Sequence, residues 1–593
     1  PSLFRMLQVL VVGLFIFPAL VSAQQRDKIA TLEDNVQTLQ KDYISLQKEL
    51  LELEKQVVRS GISESTRVDM DKLKEIDALK ANVDKLAAQL EVSGKSSGAE
   101  AHADIVGTEK SNDIDVLKTD VKALSASFQK LKQSVETSVS KAPETESVPT
   151  DAIAALTAKV DSVTLGNNLV WVLAMGFLVM FMQAGFALVE SGLTRKKNAA
   201  HTMTMNFMDY GLATLAYWAF GFAIMFGNAA PNAALGFDKG LTSAAGFTFG
   251  ETTYTLFGTS GWFLAGQDLF NGGIFSLFLF QLVFAGTANT IPTGALAERW
   301  KLRAFTIASI IVGGLIYPLF GHWVWGGGWL AKLGYLDFAG SSVVHMAGGM
   351  LALAGAYVVG PRLGKFNPDG SSNPIPGHNL PMAILGTFIL AFGWFGFNSG
   401  STLNGSDAQI GIIATNTALA SAAGACVAFG LTSVRFGRPD PSFSCNGMLG
   451  GLVAITAPCA FVDAWAAVII GAVGGVLVVY SATFVEEKMK LDDPVGAISV
   501  HGVCGAFGCI ALGLFANGAY GGVKGLFFGN ANQLMIQCLG VATCFVVVGG
   551  LGWIMFKLLD VTVGNRASDV DQLEGLDLVE LGVEAYPEER QKR

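Results

Sequence analysis

From Leu169 to Leu559 the chain consists mostly of apolar runs about twenty residues long, and no other property restricts its fold as much. A helix rises about 1.5 Å per residue, so each run covers the roughly 30 Å hydrocarbon core of a bilayer. No water reaches a peptide group inside that core, which leaves helices and closed barrels as the only spanning structures. The runs are about twice the length of a barrel strand, so they predict helices. Eleven are read, starting near Leu169, Phe207, Leu269, Ala304, Ser341, Leu380, Ile410, Met448, Ala464, Ile498 and Leu534. The predicted class is an all-α membrane protein.

The charges beside these runs give their direction. Twelve Lys and Arg residues occupy alternate loops, at 195–197, 299–303, 362–365, 435–438 and 488–490; the intervening loops hold Lys239, Lys332 and Lys524. Loops rich in Lys and Arg stay in the cytoplasm. The sequence therefore predicts a multi-pass protein of the cell membrane with an extracellular N-terminus. An odd number of spans puts the C-terminus in the cytoplasm.

Hydrophobic residues make up 51% of the 593, and the net charge of −9 lies largely in the polar ends. Four regions are expected. Residues 1–23 read as a signal peptide: Arg5 precedes an apolar stretch from Met6 to Leu20, and Val21-Ser22-Ala23 offers small residues for cleavage. Residues 24–161 read as an extracellular coiled coil, in which Ile29, Leu32, Val36, Leu39, Tyr43, Leu46, Leu50 and Leu53 alternate three- and four-residue steps. Residues 162–559 are the membrane domain, and 560–593 a cytoplasmic tail. No basic stripe or motif points to nucleic acid. The seven cysteines, from Cys426 to Cys544, match no zinc spacing. No metal or cofactor is expected, and no motif reads as an enzyme's.

Two histidines stand inside apolar segments. In DFAGSSVVH, His345 follows Asp337 by eight residues; in DPVGAISVH, His501 follows Asp493 by the same eight. An ionisable group in a bilayer is costly unless it faces a partner or a cavity. Finding the arrangement twice points to an internal duplication, and transporters built from repeats hold their site where the repeats meet.

The segments DFAGSSVVH, FGWFGFNSGST, GALAERWKLRAF, HWVWGGGWL and DDPVGAISVHGVCGAFG resemble the ammonium transporter family, whose relatives include the Rhesus-type gas channels. QAGFALVESGLTRKKN in the first span resembles the same family. The likeness runs from about Leu169 to Tyr586 and keeps the motif order. It implies a homotrimer in contact with membrane lipids. Each subunit would have eleven helices, as two inverted five-helix repeats plus a final helix, around one narrow pore for ammonium or ammonia. Methylammonium would serve as an analogue, and the tail would meet a cytosolic regulator. The coiled coil lies outside the resemblance.

Carried over residue by residue, the resemblance makes Trp325, Phe280, Ser401 and Asp337 the substrate-binding set of an external vestibule. Phe284 and Phe397 would stack as a gate. His345 and His501 would line the pore below, their rings joined by a hydrogen bond. An indole face attracts a partly desolvated ammonium ion, and a hydroxyl accepts one of its protons. Asp337 and Asp493 also suit helix caps, with Pro494 at a first-turn position. Phenyl rings and neutral imidazoles oppose any desolvated cation, so ammonium would pass by giving up a proton and crossing as ammonia. The proton would return outside or follow along the histidines.

Other polar residues of the spans, Glu190 and Asp209, read as packing or capping partners, and His201 and His378 as weak site candidates; His322, near Trp325, reads as a vestibule residue or, more readily, as an ordinary helix-end residue. The tail GLDLVELGVEAY resembles the family's regulatory motif, but Leu581 and Val583 stand where a His and a Glu are common. The long coiled coil is atypical. It carries the alternative of an ammonium sensor or surface-interaction protein on a transporter fold.

Overall fold

The computed structural model describes residues 126, 130, 133 and 150–587, apart from 238–240, 242 and 267–268. The chain divides into two units, Pro1–Ala158 and Lys159–Arg593. The expected signal peptide and the heptad run from Ile29 to Leu53 lie outside the described residues.

In chain order the helices are α1 (Thr150–Leu193), α2 (Ala199–Ala216, continued through a π turn to Phe226), α3 (Gly272–Leu296), α4 (Leu302–Lys332), α5 (Ser341–Val359), α6 (Leu380–Gly400), α7 (Gln409–Phe436), α8 (Pro441–Thr456), α9 (Ala464–Glu487), α10 (Ile498–Phe515) and α11 (Ala531–Thr562). Nine of them are long and apolar enough to cross a membrane among the described residues; α2 and α8 are the exceptions. Buried His201, Asn206 and Asp209 lower the hydropathy of α2. The 16 residues of α8 cover only about 24 Å. Two short helices end the described chain, α12 (Asp569–Glu574) and α13 (Leu576–Leu581).

Side-chain caps fix several helix starts. Asn271, Asn379, Asp440 and Asn530 each accept from backbone N–H groups of the first turn of α3, α6, α8 and α11. Small residues then let the helices close up. A Cβ on Gly424 of α7 would lie 2.2 Å from the Gly447 carbonyl of α8, so neither helix tolerates even alanine there without moving.

An antiparallel hairpin, β1 (Ala244–Phe249) and β2 (Thr252–Gly258), follows α2. Nothing in the sequence analysis anticipated it. It braces α4 beside Trp325: His322 Nε2 lies 2.9 Å from Thr255 Oγ1, and Trp323 Nε1 donates to Leu256 O at 2.8 Å.

At the face rich in Lys and Arg, buried Glu298 accepts from the Arg195 backbone N–H and guanidinium, from Asn198 Nδ2 at 3.1 Å and from Arg362 Nη1 at 2.8 Å. Arg362 also forks onto Asp492, at 2.8 and 2.9 Å. Burial alone would raise the Asp492 carboxyl, but the Arg299 and Arg362 guanidiniums outweigh it and hold it below the usual carboxylate range. This network ties the ends of α1, α3, α5 and α9 together.

Candidate functional site

His345 and His501 occupy equivalent local structure. Each lies in a π turn that opens its helix, Ser341–Met346 in α5 and Ile498–Val503 in α10. Such turns are rare and cluster at functional positions. Each turn is held by the aspartate that precedes it. The Asp337 carboxylate accepts from the backbone N–H groups of Gly340, Ser341, Ser342 and Val343, at 2.7 to 3.0 Å, and from Ser342 Oγ at 2.7 Å. Asp493 accepts from Gly496 N at 3.0 Å and Ile498 N at 2.7 Å. The two helices cross at Gly349 and Gly502, where a Cβ on Gly349 would lie 2.3 Å from the Gly502 nitrogen. That approach brings the imidazoles together, Nδ1 to Nδ1 at 3.3 Å, with both side chains buried.

On one side of the pair runs a ladder of aromatic rings. His345 stacks on Phe397 at 5.2 Å between centroids, and Phe397 stacks on Phe284 at 4.0 Å and 22°. Phe284 meets Trp325 edge-on at 6.1 Å and Phe280 at 4.7 Å. Phe280, Trp325 and Ser401 then line a cavity of about 340 Å³. The Trp325 N–H donates to Asp337 O at 2.7 Å, which fixes the indole. Ser401 donates its proton to Phe397 O at 2.8 Å, so its lone pairs remain to accept from a ligand.

The structure brings together seven of the eight expected site residues in one column, from Trp325 to His501. Asp337 stands apart: its carboxylate is taken up by backbone groups, it is not among the residues that line the cavity, and it reaches the site through the Trp325 bond.

Sequence reasoning passed over two further residues, Trp394 and Gln281, and read a third, Glu190, as a packing or capping partner. Trp394 stacks on His345 at 4.8 Å and donates to Thr456 Oγ1, which holds that imidazole from behind. Gln281 lines the vestibule, and its Oε1 is buried with no partner among the described residues. Glu190, beyond the histidines, accepts from Asn206 Nδ2 at 2.7 Å and lies 2.8 Å from Thr293 Oγ1. With His501, Phe186 and Asn446 it lines a cavity of about 20 Å³. A signal existed for Trp394, which sits inside FGWFGFNSGST, and for Glu190, a lone acid within an apolar span. Among the described residues no group of His, Cys, Asp and Glu could hold a metal ion.

The tail caps two membrane helices. Asp577 accepts from Ala200 N and His201 N at the start of α2, at 3.1 and 2.7 Å. Glu580 accepts from Leu302 N at the start of α4, at 2.6 Å, and pairs with His201 Nε2 at 3.2 Å. Burial alone would raise the Glu580 carboxyl, but the bonds from His201 and Leu302 and the charge of Lys301 hold it below its ordinary value.

Comparison with known proteins decides the lineage. A family model described as the Ammonium Transporter Family matches residues 170–586. The chain belongs to that family. Ammonium transporter Amt2 of Archaeoglobus fulgidus is 45% identical over 437 residues, which cover 71% of this chain and 88% of that protein. Among solved structures, one titled "Sensor Amt Protein" superposes with a TM-score of 0.64 at 37% identity, covering 71% of this chain and 99% of the other. Mep2 of Candida albicans gives a TM-score of 0.59 at 26% identity, covering 68% and 87%. This member of the ammonium transporter family therefore has the mostly helical, multi-pass membrane fold of the Amt and Mep proteins.

Proposed function

We propose that this ammonium transporter family member carries ammonium into the cell through one pore per subunit of a homotrimer. The reading rests on one observation above all: an unbroken column of rings leads from the Trp325 vestibule through Phe284 and Phe397 to the paired histidines. Ammonium is drawn to the indole and Phe280 faces, by about 0.5–2 kcal/mol, and donates to Ser401. The stacked phenyl rings leave a cation no replacement for its water shell. Potassium stops there. Ammonium gives up a proton and crosses as ammonia along the imidazoles, with methylammonium as its analogue.

In this reading all eleven helices span, as two inverted five-helix repeats and a final helix. Residues 162–559 are the membrane domain, 1–23 a signal peptide, 24–161 an extracellular coiled coil and 560–593 a cytoplasmic tail. The Lys and Arg loops support that orientation, and the paired π turns after Asp337 and Asp493 support the duplication. The tail, docked on α2 and α4, is where a cytosolic regulator would act on the pore. A sensing role on the same fold is the less favoured reading. Expression in cells that lack ammonium uptake tests the choice: growth on low ammonium should return, and surface protein that takes up no labelled methylammonium would hand the lead to sensing.

A further inference from the structure

Glu190 is a buried acid to which the pathway above gives no task. It sits on α1, 2% exposed, and shares a cavity of about 20 Å³ with His501, Asn446 and Val495. A space of that size holds about one water, provided that polar groups surround it. Here they are the Glu190 carboxyl, the Asn446 amide and the His501 imidazole. His501 Nδ1 is engaged by His345, which leaves Nε2 to meet such a water.

We propose that Glu190 is the proton acceptor beneath the paired histidines, reached from His501 through one bridging water. The inference rests on the transport reading and adds to it a route for the charge.

The hydrogen bonds around Glu190 suit both of its protonation states. Asn206 has a fixed orientation: its Oδ1 accepts from Thr290 Oγ1 at 2.9 Å, so its Nδ2 donates to Glu190 Oε2 at 2.7 Å in either state. Thr293 is the adaptable partner. Its hydroxyl lies 2.8 Å from Glu190 Oε2 and 2.5 Å from Thr290 O, and it has one proton to give. When Glu190 is ionised, Thr293 donates to it. When Glu190 is protonated, Thr293 accepts from it and donates to Thr290 O. An acid whose only task was to join α1, α2 and α3 would need one of these states.

The transfer balances at each atom. Ammonium loses an N–H proton to His345 Nε2, a buried nitrogen with no partner among the described residues. His345 passes its Nδ1 proton to His501 Nδ1, His501 passes its Nε2 proton to the water, and the water protonates Glu190. Both imidazoles stay neutral and end in the opposite tautomer; each resets by water-assisted exchange, one ring nitrogen giving a proton to water as the other takes one, with no net gain or loss. Glu190 then releases its proton toward a second cavity, of about 220 Å³, which shares Asn446 and Val495 with the first. There it rejoins the ammonia, so each ammonium carried moves one positive charge.

The test compares charge with substrate in proteoliposomes: ammonium- or methylammonium-evoked current against uptake of labelled methylammonium. Wild type should move about one charge per labelled molecule, and E190Q should lower that ratio by at least about tenfold, a threshold set below the roughly 100-fold or more that a positioned proton acceptor contributes. E190D, which keeps the carboxyl, should retain most of it. If E190Q does not assemble, T293V reads the same route: removing the partner of the protonated acid should lower the ratio ~3-fold or more. Current that keeps pace with uptake in both E190Q and T293V, or uptake by wild type with no current, overturns the role of Glu190 and leaves transport standing. No uptake by wild type overturns the transport reading, and the proposal with it.

Discussion

Gly349 of α5 lies against Gly502 of α10 so closely that a Cβ on the first would stand 2.3 Å from the backbone nitrogen of the second. Gly349 follows His345 by one helical turn, and Gly502 adjoins His501. The contact therefore sets the spacing of the imidazoles, whose Nδ1 atoms are 3.3 Å apart. Gly349→Ala must push backbone from backbone, since no flexible side chain is there to give way. Overpacking of this kind costs about 1–3 kcal/mol. We expect a lower melting temperature and a large loss of methylammonium uptake. Normal uptake from the alanine variant would mean that the histidine spacing tolerates more slack than this crossing implies.

The histidines themselves are tested by polarity. His345→Leu and His501→Leu each remove the hydrogen-bond partner that the other ring has among the described residues, and flux or selectivity should be lost while the protein stays assembled. An acidic replacement, His501→Glu, should instead admit potassium, because a carboxylate stabilises a desolvated cation. Competition between potassium and labelled methylammonium reads both effects. If both leucine variants transport normally and still exclude potassium, the paired imidazoles are not the filter.

Four of the eleven expected span starts, at Ser341, Leu380, Ala464 and Ile498, coincide with the first residues of α5, α6, α9 and α10. A sharp change from loop composition to apolar run marks each. α2 begins at Ala199, ahead of the expected Phe207, and α8 at Pro441, ahead of Met448. In both helices the first turns are polar, and hydropathy does not count a polar residue whose partner comes from far along the chain. His201 meets Glu580 across 379 positions. The start of α8 did carry a local signal, an Asp cap followed by Pro at the first helical position. The same limit left Glu190 read as a packing or capping partner without its partners being named: Asn206 and Thr293 lie on other helices. The twin histidines were legible because the sequence states them twice.

Trp325 offers a graded test of the vestibule. Its N–H is tied to Asp337 O, so the indole presents a fixed face rather than a donor. Trp325→Leu removes that face. A cation–π contact of about 0.5–2 kcal/mol corresponds to a rise of about 2- to 30-fold in the concentration for half-maximal uptake. The maximal rate should change less, since the gate and histidines remain. An unchanged half-saturation in the leucine variant would show that recruitment happens elsewhere.

Docking of the tail should depend on pH through Glu580. Its carboxyl is held below the ordinary value of 4.5 in the folded protein. A group with a depressed folded value adds stability that is fully present above its unfolded value and is lost as pH falls through the folded one. Spin labels at residues 583 and 369 should keep one distance from neutral pH down to about 5, then separate in more acid solution. Glu580→Gln, which loses the charge, should show the wider distance at every pH. A distance that is indifferent to both pH and E580Q would assign the docking to Asp577 and its bonds to α2.

Ile153, Leu156, Val160 and Val163 of α1 repeat at three- and four-residue steps, and each is more than half exposed. The heptad run named in the sequence analysis ends at Leu53, and this stripe repeats the same spacing in the first turns of α1. Large apolar side chains left exposed at that spacing read as one strand of a coiled coil. Leucine at the d positions Leu32, Leu39, Leu46 and Leu53 leans toward two strands. Three pores held together in a membrane would raise the local concentration of their helices, so a small preference for two should yield to three. We expect L156D with V160D to lower the thermal stability of the proposed trimer and to leave the preference for ammonium over potassium as it was. Sedimentation of residues 24–163 alone gives the independent reading. A tight dimer that shows no trimer at high concentration would sink the three-stranded stalk.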